Sequence, residues 1–416
     1  MGRLEYRPAG TYRLEWVYRN RHREPVQVWL ALSPDLPTQK VLGLHLTPEP
    51  HERTVSPDGL GEMAWYRLAP GEAVRLDATI QTFSVRYSPR GRGPVVPLEP
   101  QERELYLRST GMVTITPEIR EEARRLTEGC GTDLEKVHRL AVHMFHHYGY
   151  CHPPRARGAT AMGRDRRGDC GQFSALFAAW CRFLGIPTRV HLGTWAVGRF
   201  QGHAWTECYI EGLGWLPVDI SVATVHSKLR RLLRLRHLPS YAFGHLEGQR
   251  ITFSLKYDRE LVPPYPETNP PLADLTMEMG EQPVAFGYQL LHRRAPYLQP
   301  AYVRLPEQVE SLSRPLTVTD LLGDWRGRHE PWHLRALHAA QVFLFAMAGL
   351  AVLATLVPMT DRWLEQRGLK PPDLWMDAAF LAANGIAWFL SRGRSWLPGF
   401  LAVFFLFMVL EDLRGR

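Results

Sequence analysis

The stretch Arg167–Ser221 constrains the fold most, because it reads as one helix followed by three strands. Phe173, Leu176, Phe177, Trp180, Phe183 and Leu184 recur at offsets of three and four, which is one apolar stripe on a helix. Asp169 is a good N-cap, and Gly185 followed by Ile186 and Pro187 stops the helix. The spacing then predicts a strand over Thr188–Thr194, another over His203–Ile210, and a hairpin turn at 211–214 into Trp215–Ile220. A helix packed on antiparallel strands belongs to the α+β class.

Three polar residues stand out in this frame. Cys170 falls in the first helical turn, where unpaired N–H groups and the helix dipole favour a thiolate and can receive an oxyanion. His203 opens the second strand and Asp219 closes the third. The turn between them sets Asp219 within a residue or two of facing His203, and their shared parity projects both from one face. A carboxylate behind an imidazole fixes its tautomer and stabilises the imidazolium, which completes the parts of a nucleophilic thiol enzyme. Against this, a Cys in an apolar helix is usually inert core, a role that Cys181 and Cys208 suit better. Residue types and spacing alone leave both readings open.

The runs G-D-C-G-Q-F-S-A-L-F-A-A-W-C-R-F-L-G-I-P-T-R-V-H-L-G and G-H-A-W-T-E-C-Y-I-E-G-L-G-W-L-P-V-D resemble the core of the bacterial transglutaminase-like superfamily. Phe243–Ser254, F-G-H-L-E-G-Q-R-I-T-F-S, is similar to the strand pair that follows the Asp in those proteins. The resemblance extends from about Tyr106 to Pro264. It implies a papain-like fold with Cys170, His203 and Asp219 as the catalytic residues, and acyl transfer through a Cys170 thioester. Water as acceptor gives a protease or amidase acting on a protein or peptide; an amine gives a transglutaminase. Hydrolysis is the expectation, since bacterial members look more often hydrolytic. A non-catalytic, peptide-binding membrane module is the alternative. The resemblance also implies a second oxyanion donor upstream of the Cys, but no residue of A-T-A-M-G-R-D-R-R can be assigned to it. Trp205 and Trp215 are candidates to line the substrate cleft and equally candidates for core.

Composition narrows the partners. The formal charge of +8 comes mainly from arginine and suits an acidic surface, anionic lipid included. No basic stripe interleaved with aromatics and no phosphate-cradling glycine loop appears, so nucleic acid is not expected. The run H-M-F-H-H-Y-G-Y-C-H places His143 and His147 four apart with Cys151 and His152 close by. It lacks the Glu of a zinc-protease helix, and the expectation is no metal and no cofactor. Five unevenly spaced cysteines argue against a disulfide framework and for a reducing compartment.

With 416 residues, two or three domains are expected. Alternation at Tyr12, Leu14 and Trp16, at Val26, Val28 and Leu30, and at Val74, Leu76, Ala78 and Ile80 predicts a small antiparallel β domain over 1–88, closed by a Pro- and Gly-rich linker. Helices starting at Thr116-Pro117 and at the capping box Thr132/Glu135 lead into the catalytic core, 89–265. Residues 266–335 read as a Pro-rich linker region. Within 336–416, Ala339–Met359 has only Gln341 and Thr355 as polar residues, and at ~1.5 Å per residue it spans the ~30 Å of a bilayer core. Shorter apolar runs at 374–390 and 396–410 are marginal spans or an interfacial pair. The start of the chain shows no signal-peptide pattern, so a cell-membrane protein with a cytoplasmic catalytic region is expected. The basic segment 228–237 reads as a surface helix with its leucines inward; the alternatives are a helix lying on anionic lipid or a rim of the cleft that selects acidic substrates.

Overall fold

Alternating sequence near the start of the chain makes strands whose inward positions are large and apolar. The computed structural model describes residues 2–55, 61–152, 154, 156–224, 238–264, 298–304 and 323–330, the backbone of 277–279, 282–284 and 294–295, and Ala336, Ala340, Phe343, Leu381 and Leu406. Six strands come first: β1 (Arg3–Arg19), β2 (Val26–Ala31), β3 (Gln39–Thr47), β4 (Glu52–Val55), β5 (Glu62–Leu68) and β6 (Ala73–Ser88). The long strands β1 and β6 pair antiparallel from Arg3 opposite Ser88 to Arg19 opposite Ala73, with a bulge at Pro8/Gly10. Their alternate residues Tyr12, Leu14, Trp16, Val74, Leu76 and Ile80 are buried together with Trp29, Tyr66 and Trp325.

The middle of the chain supplies α1 (Pro100–Leu105), α2 (Pro117–Leu126), α3 (Asp133–His147), β7 (Gly149–Tyr150), α4 (Ala159–Asp165), β8 (Arg167–Gly168) and α5 (Cys170–Phe183). Then follow β9 (Thr188–Trp195), β10 (Gly198–Arg199), β11 (Gly202–Ile210), β12 (Gly214–Val218), α6 (Ile220–Thr224), β13 (His245–Leu246) and β14 (Arg250–Ser254). The helix starts carry the expected chemistry. Thr116 caps α2, and Thr132 and Glu135 form a reciprocal capping box on α3. β12, β11, β9 and β14 form one antiparallel sheet in that order, and α5 packs on it. α5 departs from the one-stripe expectation. Every residue from Gly171 to Arg182 is buried, so the helix runs through the interior rather than along a surface.

Short strands β15 (Arg259–Glu260), β16 (Met277–Met279), β17 (Gln282–Val284) and β18 (Arg294–Ala295) pair as β15–β18 and β16–β17, and β19 (Ala301–Arg304) and β20 (Asp324–His329) follow. These last two correct the expected domain boundary at residue 88. β19 pairs with β2, while β13, β20 and β10 complete the sheet of β1 and β6. Met1–Arg328 therefore form one compact unit, in which strands from distant parts of the chain close the N-terminal sheets. The cause is edge pairing: β1, β2 and β6 each offer an open side that later strands satisfy.

His329–Arg416 form a second unit, whose residues Ala336, Ala340, Phe343, Leu381 and Leu406 are helical. Apart from such single residues, the expected spans 339–359, 374–390 and 396–410 lie outside the described residues, as does the basic segment 228–237. Among the described residues no helix is long and apolar enough to cross a membrane.

Candidate active site

Helix α5 begins where the sequence places its cap. The Asp169 carboxylate accepts from the N–H groups of Gly171 and Gln172, and Cys170 is the first helical residue. The Tyr257 hydroxyl donates to the Gly171 carbonyl at 2.7 Å and ties that first turn to the loop after β14. Opposite the thiol stands β11. The Ala204 N–H is directed at the Cys170 sulfur, which brings the half-buried thiol to the residue next to His203.

On the same strand His203 is 8 % exposed, and its Nε2 lies 2.6 Å from Asp219 Oδ2. The geometry follows from register. Thr206 faces Val218 across the β11–β12 pair, so the strand end delivers Asp219 close to His203. β12 stops at Val218, and Asp219 accepts at Oδ1 from the Ser221 hydroxyl (2.7 Å) and the Val222 N–H (3.3 Å) as α6 begins. Burial acts to raise the Asp219 carboxyl, but His203, Arg250 and these hydrogen bonds outweigh it and hold it well below the usual carboxylate range. With Asp219 ionised, Nε2 of His203 is the protonated ring nitrogen, and Nδ1 is left to exchange a proton with a thiol.

Arg250 is the residue that sequence reasoning missed. Its Nη1 reaches the same Asp219 Oδ2 at 2.5 Å, while Nε and Nη2 grip Glu247 at 2.7 and 3.1 Å. Its guanidinium lies over the rings of Trp195 and Trp205, at 4.8 and 5.2 Å from their centroids. Both rings also stack with His203, at 5.4 and 5.9 Å. The signal available was the closely spaced Glu247 and Arg250 at the start of a short alternating strand, R-I-T-F-S.

Trp205 is thus a packing partner of the imidazole. It is 2 % exposed and sandwiched between His203 and His191. Trp215 lies elsewhere. It faces Tyr209, six residues along β11 from His203, roughly 20 Å at strand spacing, and packs on Tyr106 under the Arg189 guanidinium. Behind the stack sits a second buried histidine–carboxylate pair, His191 with Glu207 at 2.9 Å, and Arg189 grips the same carboxylate oxygen at 2.6 and 2.8 Å. His143 and His147 stack with ring centroids 4.4 Å apart, and His152 turns to Asp169. Among the described residues no three His, Cys, Asp or Glu side chains converge as a metal site.

The expected lowering of the Cys170 thiol is corrected. Burial pushes it up to about 12, and the charges of Asp169 and Asp219 add to the rise against the Ala204 N–H and Arg157. The physical reason is burial first and the cap second. Asp169 engages the N–H groups of Gly171 and Gln172 and sets a carboxylate beside the sulfur, whose charge opposes the field of the helix end. Asp169 also holds Arg157 at 3.2 Å. The site therefore stores a neutral thiol, and a thiolate forms only if a base takes the proton. Tyr150 is a further neighbour overlooked in the sequence. Burial raises its phenol, and the charges of Cys170, Asp169 and Asp219 add to that rise.

Comparison with known proteins gives a family and a set of distant likenesses. Residues 120–220 match the transglutaminase-like superfamily model, and this region is a transglutaminase-like superfamily domain. No curated protein sequence matches the chain. A Cytophaga hutchinsonii structure provisionally assigned as a cysteine protease is 15% identical, with 78% of this chain and 100% of that one covered at a TM-score of 0.46. The periplasmic domain of TgpA from Pseudomonas aeruginosa is 15% identical, with 53% and 89% covered at 0.31. Both scores lie below 0.5 and neither likeness bears on the chemistry.

Proposed function

We propose that this transglutaminase-like domain is a cysteine-dependent acyl-transfer enzyme that hydrolyses a peptide or carboxamide bond. The observation that carries the reading is the buried His203–Asp219 pair at 2.6 Å, one residue from the N–H that meets the Cys170 sulfur. Cys170 Sγ forms a bond to the substrate carbonyl carbon as its proton passes to His203 Nδ1. Asp219 holds the resulting imidazolium. The oxyanion faces the Cys170 N–H at the start of α5. Collapse breaks the C–N bond, and the leaving amine takes the proton from His203. Water then attacks the thioester, His203 accepts its proton, and the carboxylic acid leaves as the thiol is restored. The apolar run 339–359 supports a membrane anchor for the chain.

The test uses the full chain in detergent micelles, a library of internally quenched peptides, and dansylcadaverine as amine donor. Peptide cleavage that vanishes in Cys170→Ala, with no dansyl incorporation, is the expected result. Dansyl incorporation into glutaminyl peptides would move the reading to cross-linking. Identical behaviour of the chain and Cys170→Ala, with peptide still bound, would replace the enzyme by a binding module. Resistance to carbonate extraction from membranes checks the anchor.

A further inference from the structure

The carboxylate of Asp219 has more partners than a histidine alone requires. Oδ1 is held by Ser221 and Val222, and Oδ2 is shared by His203 Nε2 at 2.6 Å and Arg250 Nη1 at 2.5 Å. A carboxylate fixed at both oxygens cannot rotate, so Oδ2 presents one lone-pair direction to the imidazole. Arg250 is itself immobilised. Glu247 takes Nε and Nη2 in a bidentate fork, and the Trp195 and Trp205 rings carry its flat face. The same two rings set the plane of His203. One guanidinium thus touches every group that orients the imidazole: its carboxylate and both of its stacking partners.

Charge alone does not explain the arrangement. A cation on Asp219 weakens that carboxylate's hold on an imidazolium, and Glu247 restores the balance by neutralising the cation. A net-neutral pair placed against a catalytic carboxylate contributes geometry rather than field. We propose that Arg250, gripped by Glu247, is a positioning residue of the site: it aims Asp219 at His203 Nε2 and so turns Nδ1 toward the Cys170 thiol. The proposal rests on the acyl-transfer reading of Cys170, and the experiment separates the two.

The probe is iodoacetamide labelling of Cys170 in the full chain, resolved by site with mass spectrometry across pH 6–9. The variants are Arg250→Lys, the double variant Arg250→Met/Glu247→Gln, and His203→Ala. Titratable groups facing Arg250 are Asp219, Glu247, His203, His191 and His245. Hydrogen–deuterium exchange at the histidine C2 positions therefore follows His203, His191 and His245 in the same samples. Arg250→Lys keeps the charge and loses the fork; the double variant removes both charges together. Positioning predicts that both label Cys170 about tenfold more slowly than the parent at temperatures where circular dichroism is unchanged. It also predicts that the His203 exchange profile shifts while that of His191 stays. A purely structural role would lower the unfolding temperature and leave labelling and the His203 profile at parental values, which overturns the proposal. Full labelling in Arg250→Lys with loss in the double variant would also overturn it, because charge would then suffice. If the double variant unfolds, Arg250→Lys decides alone. If His203→Ala labels Cys170 at the parental rate, the acyl-transfer reading itself fails, whatever the Arg250 variants do.

Discussion

Replacing Glu207 by Gln tests whether the buried charge cluster that joins β9 and β11 is ionised. Glu207 is 1 % exposed, and Arg189 and His191 both reach its Oε2. Burial acts to raise the carboxyl, but those two partners outweigh it and bring it from 4.5 down to about 2. A folded-state value below the unfolded one means that the unfolded chain binds the proton first. The contribution is then complete above the unfolded value and lost as pH falls through the folded one. A shift of that size is worth about 3 kcal/mol, of which about 2 kcal/mol is lost between pH 5 and 3. His191, lowered by burial from 6.5, adds a slope of the same sign, and Asp219 adds another at acid pH, so the share of Glu207 is the difference between the parent and Glu207→Gln profiles. Native-state hydrogen exchange of β9 and β11 peptides in the full chain, corrected for intrinsic rates, reads the opening free energy at both pH values. Glu207→Gln should cost about 3–5 kcal/mol at pH 7 because Arg189 loses its counter-charge. The drop of about 2 kcal/mol between pH 5 and 3 should be missing from the variant. Parallel pH profiles in the two proteins would refute an ionised Glu207.

Cys170, pushed up to about 12, should react with iodoacetamide more slowly than Cys130 or Cys151 at pH 7, with a rate still climbing at pH 9; a plateau near pH 6 would show a pre-formed ion pair instead. Gly193→Ala should lower the unfolding temperature by the equivalent of about 2 kcal/mol and reduce Cys170 labelling, because a Cβ there meets the Ile251 carbonyl and the Trp205 ring directly opposite His203. A Tm within a degree of the parent would argue against that packing. Tyr257→Phe removes the hydrogen bond to Gly171 and should cost about 1 kcal/mol in thermal unfolding while the fold is kept. An unchanged Tm would mean that another donor serves the Gly171 carbonyl.

Local rules made part of this molecule legible. The caps at Asp169, Thr116 and Thr132 stand where side-chain chemistry demands, and the turn at 211–214 joins two antiparallel strands. β9 was legible as a short run bounded by turn signals, although it is buried on both faces and shows no alternation of burial. Long-range pairing was not legible. Alternation reveals that β1 and β6 are strands but carries no mark of the later strands that join them. The thiol was misjudged because burial and the Asp169 carboxylate act through space, whereas the helix-end argument counts only the backbone. Arg250 stayed hidden because an arginine in a strand reads as a surface residue. Only burial, with Asp219 on one side and Glu247 on the other, makes it part of the site.

The N-terminal strands belong to the site's support rather than to a detachable module. Glu247 and Arg250 sit on the turn and strand β13–β14, and that segment is anchored at successive points to residues before 89. Leu246 pairs with Val85, and the Thr82 hydroxyl donates to the Gly248 carbonyl at 2.5 Å. Gly248 has φ +76, and a Cβ there would collide with Ala9 and with the Ser84 N–H, so the turn is shaped to lie directly on β1 and β6. Two residues beyond Arg250, Gln39 treats Thr252 as a strand neighbour would, accepting from its N–H at 2.7 Å and donating to its carbonyl at 3.0 Å. This amide stands in for a missing ladder where β14 bulges between Thr252 and Ser254. A match confined to residues 120–220 contains Cys170, His203 and Asp219 and none of these anchors. The three residues can therefore be read from the core alone. The orientation of their carboxylate depends on Arg250, which β14 carries; β14 takes its register from β9, while Val85 and Thr82 tie down the turn before it and Gln39 holds Thr252 within it.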